Sequence, residues 1–168
     1  MRLVKPTYEM KGQYQVFEQE WKMNDEAIIP YSVRLLDNSY ERWCDLVALY
    51  ETTAPENFVS AHTFFMIDEI GKIIGAINIR HELNDFLLNY GGHIGYGIVP
   101  SERGKGYASL MLSQALPIAK QFGIRNVLLV CDKVNTASAK TIIGNGGILE
   151  NEMFHNGELI QRYWINLL

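Results

Sequence analysis

Seven consecutive residues, Arg103-Gly104-Lys105-Gly106-Tyr107-Ala108-Ser109, combine two glycines with two cations where an apolar run gives way to a helical pattern. A junction of this kind binds anions. The first four N–H groups of a helix lack intrahelical partners and the macrodipole adds roughly half a positive charge, so an anion is stabilised there before any side chain contributes. Gly104 and Gly106 let the chain bend and let a ligand approach the main chain; Arg103 and Lys105 add charge at the same place. Two nucleotide loops are excluded by spacing. A Walker A loop follows its Gly-Lys with Ser or Thr, whereas Lys105 is followed by Gly106 and Tyr107. A dinucleotide fingerprint needs a third glycine where Ser109 stands.

Groups that could move protons are scattered. His93 would titrate at about pH 6.5 if unperturbed, and strand alternation puts it on the face opposite Tyr96. His81, Glu82 and Asp85 lie in the mixed segment 81–90, where they could reach a site from the side. The two cysteines, Cys44 and Cys131, have neither metal-ligand spacing nor a disulfide pattern, so both are expected as reduced thiols, and no metal is expected.

The elements that must position these groups follow from periodicity. Residues 3–6 read as a short edge strand stopped by Pro6. From Tyr8 the pattern is helical, with Tyr14, Phe17 and Trp21 on one face, as a core stripe or, less simply, as one wall of a pocket. Residues 24–31 read as a loop. A second helix is expected from a cap at Asn38, with Glu41 as its partner, to about Thr52, burying Trp43, Leu46, Val47 and Tyr50. Segments 62–67 and 72–79 then read as an antiparallel hairpin around 68–71. In 92–99, His93, Gly95 and Gly97 share one face and Ile94, Tyr96 and Ile98 the other, so one face is nearly bare; interior glycines mark a bulge or the close approach of a backbone or ligand. The helix after the glycine turn carries Tyr107, Met111, Ala115, Ile118 and Phe122, ends at Gly123, and should kink or lose a rung at Pro117. The apolar run 125–131 is expected to pair in parallel with 92–99, because a helix crosses between them. A short helix over 135–143 capped by Asn135, the Gly146-Gly147 stop, and a hairpin of 148–155 and 159–166 about Asn156-Gly157 complete the chain.

A chain of 168 residues, 48% of them hydrophobic, supports one domain over 1–168 with a sizeable core. A net charge of −4 advertises no basic face for nucleic acid or anionic membrane. No stretch reaches the ~20 apolar residues of a membrane span, and the N-terminus lacks the apolar core of a signal peptide, so a cytoplasmic protein is expected.

Pro100 and Arg103-x-x-Gly106-x-Ala108 between strand and helix, the next strand, Asn135-x-x-Ser138, the paired glycines and the final hairpin together resemble the GNAT superfamily of N-acetyltransferases over nearly the whole chain. Within it, GGHIGYGIVPSERGKGYAS, NTAS and IGNGG look like an uncharacterised bacterial branch. The resemblance implies a mixed α/β fold with a mostly antiparallel sheet and helices on both faces. It also implies acetyl-CoA in a splay between two parallel strands, and acetyl transfer by direct attack of an amine of a small molecule or protein, with a homodimer as a candidate assembly. By the same resemblance, the main chain of Tyr96, Gly97, Ile98 and Val99 would hold the pantetheine arm and polarise the thioester. Arg103 and Gly104 through Ser109 would hold the pyrophosphate, and Asn135, Ser138 and Lys140 would reach the arm or its phosphates.

One position departs from that pattern. The family often carries a tyrosine four residues before the glycine that ends the helix, placed to protonate the leaving thiolate, and counting back from Gly146 that position holds Ile142. Tyr96 and His93 remain as catalytic candidates. The departure also leaves open a second class of function, a non-catalytic acyl-CoA sensor or regulatory module.

Overall fold

The computed structural model describes residues 1–168. Two antiparallel sheets form the frame. The first orders its strands β1 (Arg2–Val4), β2 (Ala61–Ile67), β3 (Ile73–Arg80) and β4 (Ile94–Ile98); the second orders β5 (Asn126–Asp132), β7 (Glu158–Asn166) and β6 (Ile148–His155). Around them lie α1 (Lys11–Met23), α2 (Tyr40–Leu49), α3 (Tyr107–Gln121) and α4 (Thr136–Gly144).

Strand alternation divides the core. On one face of the first sheet, Phe64, Met66, Ile77, Ile79, Ile94 and Ile98 pack with Met111, Leu112, Ala115 and Ala119 of α3 and with the second sheet. On the other, Phe65, Ile67, Ile73 and Ala76 meet α1 and α2. Tyr14, Phe17 and Trp21 are all buried there, so the aromatic stripe is core. The Tyr14 ring lies 5.1 Å from Tyr40 and 5.6 Å from Trp43, distances at which tilted rings add to simple burial. Its hydroxyl donates to the Val33 carbonyl at 2.6 Å, and the Trp43 indole donates to Ser32 at 2.9 Å, which ties the 28–34 loop under the helices.

Three local expectations change, and Pro117 costs α3 a rung as expected. The cap of α2 is Ser39, whose hydroxyl accepts from the Arg42 N–H at 3.1 Å, while Asn38 donates to the Leu35 carbonyl one turn earlier. Pro117 sits inside a continuous α3, on its exposed face, where the carbonyl it leaves unbonded can turn to water. Segment 81–90 is not merely a loop, because it closes in a π-helical turn, Leu87–Gly91. Most consequentially, β4 and β5 form no parallel ladder; β5 takes β7 as its partner. The two strands meet at one end only, where the His93 N–H donates to the Leu128 carbonyl at 2.7 Å and His93 Nδ1 accepts from the Leu128 N–H at 3.0 Å. Gly92 makes this approach feasible, since a Cβ there would stand 2.6 Å from the Leu128 carbonyl oxygen and φ is +68°. Beyond that junction the strands diverge and leave one edge of β4 unpaired.

Candidate active site

The junction after β4 is built for an anion. Gly104 and Gly106 have φ of +74° and +82°, and Gly106 is the N-cap of α3. Six successive backbone N–H groups, Gly104 to Ser109, donate to nothing within the protein; the first helical bond across the turn is Leu110 N–H to the Gly106 carbonyl at 3.1 Å. A Cβ on Gly104 or Gly106 would meet no protein atom within 4 Å, so the space above them is open to a ligand. The two cations are used differently from what the sequence alone suggests. Arg103 donates from Nε to the Ile98 carbonyl at 3.1 Å and forks onto Glu26 at 2.9 and 2.7 Å, with its guanidinium 5.1 Å over the Trp21 ring. Lys105 pairs with Glu102 at 2.9 Å, and Glu102 also holds Lys72 at 2.6 Å. These partners hold the Glu26 and Glu102 carboxyls below their ordinary range. Side-chain charge is therefore largely balanced here, and the positive potential comes from the main chain. Ser109 accepts from Asn145 Nδ2 at 3.1 Å, which fixes the start of α3 to the end of α4.

The ladder pattern identifies which groups face the splay. Val99 N–H bonds the Ile74 carbonyl at 3.0 Å and Arg80 N–H the His93 carbonyl at 2.8 Å. In an antiparallel pair such bonds alternate, so 95/78 and 97/76 are also bonded pairs. Ile94, Tyr96 and Ile98 turn their main chains outward to the splay, and Gly97 and Val99 do not. Arg103 occupies the Ile98 carbonyl, so the free donors are the N–H groups of Ile94, Tyr96 and Ile98. Gly97 contributes by lacking a side chain: a Cβ would lie 2.5 Å from the Ile29 carbonyl oxygen.

Across the splay, Asn135 caps α4, its Oδ1 accepting from the Ser138 N–H at 3.0 Å. Ser138 Oγ lies 2.9 Å from the Tyr96 hydroxyl, which reaches α4 from the face of β4 opposite His93. Burial pushes the Tyr96 phenol up, so it stays protonated and able to donate. Lys140 is exposed on α4. Cys131 is a buried free thiol beside Ser138, raised by burial. His93 has no lone pair to offer, because Nδ1 accepts from Leu128 and a neutral ring then carries its proton on Nε2. Burial, reinforced by the Arg80 charge, pushes its pKa down to about 4. His81 stands at the far end of β3 from the glycine turn, with its Nε2 2.7 Å from His62 Nδ1; Glu82 and Asp85 are exposed in the same segment. No group of three or more His, Cys, Asp or Glu converges as a metal site.

Residues 18–142 match the family model described as acetyltransferase (GNAT) family. The chain belongs to this family. As a GNAT acetyltransferase it is an enzyme that transfers acetyl to an amine, and nothing in the comparisons supports the non-catalytic alternative. No protein of curated function matches its sequence. Solved structures share its fold. A single-substitution form of the Vibrio cholerae spermidine N-acetyltransferase SpeG superposes with a TM-score of 0.61 at 19% identity, covering 99% of this chain and 95% of that one. A Bordetella pertussis protein described as GNAT-family gives 0.67 at 14% identity, covering 98% and 99%.

In this GNAT chain, Ile142 is fully buried in the main core cluster, so the position that often carries a tyrosine is here a packing position. Asn78 and Arg80, which the sequence did not single out, lie on the face of β3 and β4 that carries His93, Gly95 and Gly97; their only trace in the sequence is that Asn78 interrupts an apolar strand and Arg80 ends it.

Proposed function

We propose that this acetyltransferase is a cytoplasmic enzyme that holds acetyl-CoA by its main chain and catalyses direct attack of an acceptor amine. The run of unpaired N–H groups from Gly104 to Ser109 carries this reading, since it offers the pyrophosphate a cradle with no opposing protein acceptor. Tyr96 and Ile98 N–H groups, free along the β4 edge, would hold the pantetheine arm and stabilise the oxyanion, with Asn135 Nδ2 facing the arm from α4. Donors fixed before the reaction can each lower the barrier by about 2.7–4 kcal/mol. Acetyl-CoA supplies an activated thioester. The amine forms the N–C bond first, and as the C–S bond then breaks the Tyr96 hydroxyl, oriented by Ser138, gives its proton to the sulfur in place of a tyrosine at 142; the proton that the nitrogen sheds on becoming an amide returns through water to the Tyr96 oxygen. No side chain at the splay has a free base of suitable pKa, so the ammonium proton leaves through water.

Thiol release from acetyl-CoA in the presence of an amine library tests the reaction, and its pH dependence tests the proton path. kcat/KM should rise with pH and level off near the pKa of each acceptor amine, moving as the acceptor changes. An inflection anywhere from about pH 4 to 6.5 that stays fixed across acceptors and is lost in His93→Ala would overturn the water path.

A further inference from the structure

The face of β4 opposite Tyr96 carries a charge that the protein does not neutralise. Arg80 closes β3 and lies partly buried across from His93. Its Nη1 donates to the carbonyls of Gly91 and Gly92, both at 3.0 Å, but Nη2 and Nε have no partner, and no carboxylate lies within salt-bridge distance. The cations around the glycine turn, Arg103, Lys105 and Lys72, each have a glutamate. Burial alone lowers the Arg80 pKa to about 10, so it is still charged at neutral pH. Nε and Nη2 are not among the protein's buried unpartnered atoms, so the guanidinium is both without a counter-charge and open to an anion from a ligand.

Its surroundings indicate what that ligand is. Nη2 lies 3.3 Å from where a Gly95 Cβ would stand, so the guanidinium fills the space beside a bare strand, with Pro30 at 3.4 Å on the same spot. Asn78, on the same face, donates Nδ2 to Thr63 Oγ1 at 3.1 Å and keeps Oδ1 free to accept an N–H. Gly95 precedes Tyr96, whose N–H faces the splay, by one residue, about 3.3 Å along the strand. A free donor with positive charge and a free acceptor thus share the face of Gly95, the residue next to the Tyr96 N–H proposed to hold the thioester.

We infer that the acceptor is an amine that also carries a carboxylate, with the carboxylate bound by Arg80 and the amine directed to the splay. The inference rests on the acetyl-transfer reading above. It predicts an amino acid type of acceptor and disfavours polycationic amines, which would meet the guanidinium as a like charge.

The test is steady-state thiol release by the full chain with matched acceptors: α-, β- and γ-amino acids, their carboxamides, the corresponding decarboxylated amines and a polyamine. An amino acid should exceed its carboxamide in kcat/KM by about 30-fold or more. Arg80→Gln removes the charge and keeps a polar side chain, shorter by two bonds, and its thermal stability is measured alongside to register any loosening of the Gly91–Gly92 turn. The substitution should erase that preference through KM while leaving the carboxamide within about threefold of the parent. Equal use of amino acid and carboxamide, or preference for the polyamine, overturns the inference and leaves acetyl transfer standing. An equal loss for both acceptors in Arg80→Gln also overturns it, by making Arg80 a prop for the turn. Thiol release with none of the acceptors overturns both readings. If Arg80→Gln does not fold, the matched pair on the parent decides alone.

Discussion

The two sides of β4 handle charge in opposite ways. Toward the splay and the glycine turn, anion-binding capacity resides in the main chain, while Arg103 and Lys105 are held by Glu26 and Glu102. The opposite edge of β4 is consumed by the β3 ladder, and over the face that carries His93 and Gly95 the unspent capacity resides in one side chain, Arg80. A backbone cradle suits a ligand common to a family, because it depends on φ values and a helix start. An unpaired side chain suits a ligand peculiar to one member, because a single substitution installs or removes it.

Predictions that could break this contrast run from large effects to small. Tyr96→Phe removes the proposed proton donor and keeps the ring, so kcat should fall about 100-fold with the KM for acetyl-CoA unchanged. An unaltered kcat would return protonation of the thiolate to solvent. His93→Ala should act on stability instead, since the ring accepts a buried backbone N–H where β4 meets β5. Because its folded pKa lies below the ordinary 6.5, the neutral ring contributes fully above about pH 6.5 and the contribution is lost as pH falls toward about 4, on the order of 3 kcal/mol in total. Thermal melts across that window should show an acid loss that is shallower in His93→Ala; parallel curves would contradict the assignment. His62 and His81, also lowered by burial, add to the acid loss in both proteins.

Asn135→Ala should cost about 0.5–1.5 kcal/mol, and the comparison of two readouts shows where. The Oδ1 cap predicts loss of thermal stability, and a contact of Nδ2 with the cofactor arm predicts weaker acetyl-CoA binding in the folded fraction. Loss of stability alone would confine Asn135 to capping. Lys105→Ala should have the smallest effect, under about threefold in CoA affinity, since its ammonium is already shared with Glu102.

The features legible in the sequence are those fixed by near neighbours. The glycine turn, the Gly123 and Gly146 helix stops and the Asn156-Gly157 hairpin all depend on φ values a few residues apart, and each occurs where the local pattern puts it. The cap of α2, expected at Asn38 with Glu41, falls one residue later at Ser39, because backbone geometry and not side-chain type decides which hydroxyl or amide reaches the first free N–H. The crossover helix implied parallel pairing of 92–99 with 125–131, and the structure overturns it: β5 takes β7 as its partner, and the two segments are hydrogen-bonded only between His93 and Leu128, a long-range choice of partner that local pattern does not encode. The engagement of Arg103 by Glu26 spans 77 positions, and the isolation of Arg80 is the lack of a contact; neither leaves a periodic trace.

The central claim, that main-chain N–H groups of the glycine turn bind the pyrophosphate, is tested most directly by calorimetric titration of CoA into the parent and Gly106→Val. With φ at +82° and open space above the residue, a branched side chain strains the turn and projects into the ligand's volume. Affinity should fall by about 100-fold or more, as expected when two or more charge-assisted hydrogen bonds are lost, with the far-ultraviolet circular dichroism spectrum preserved. A folded Gly106→Val that binds CoA as tightly as the parent would contradict the claim.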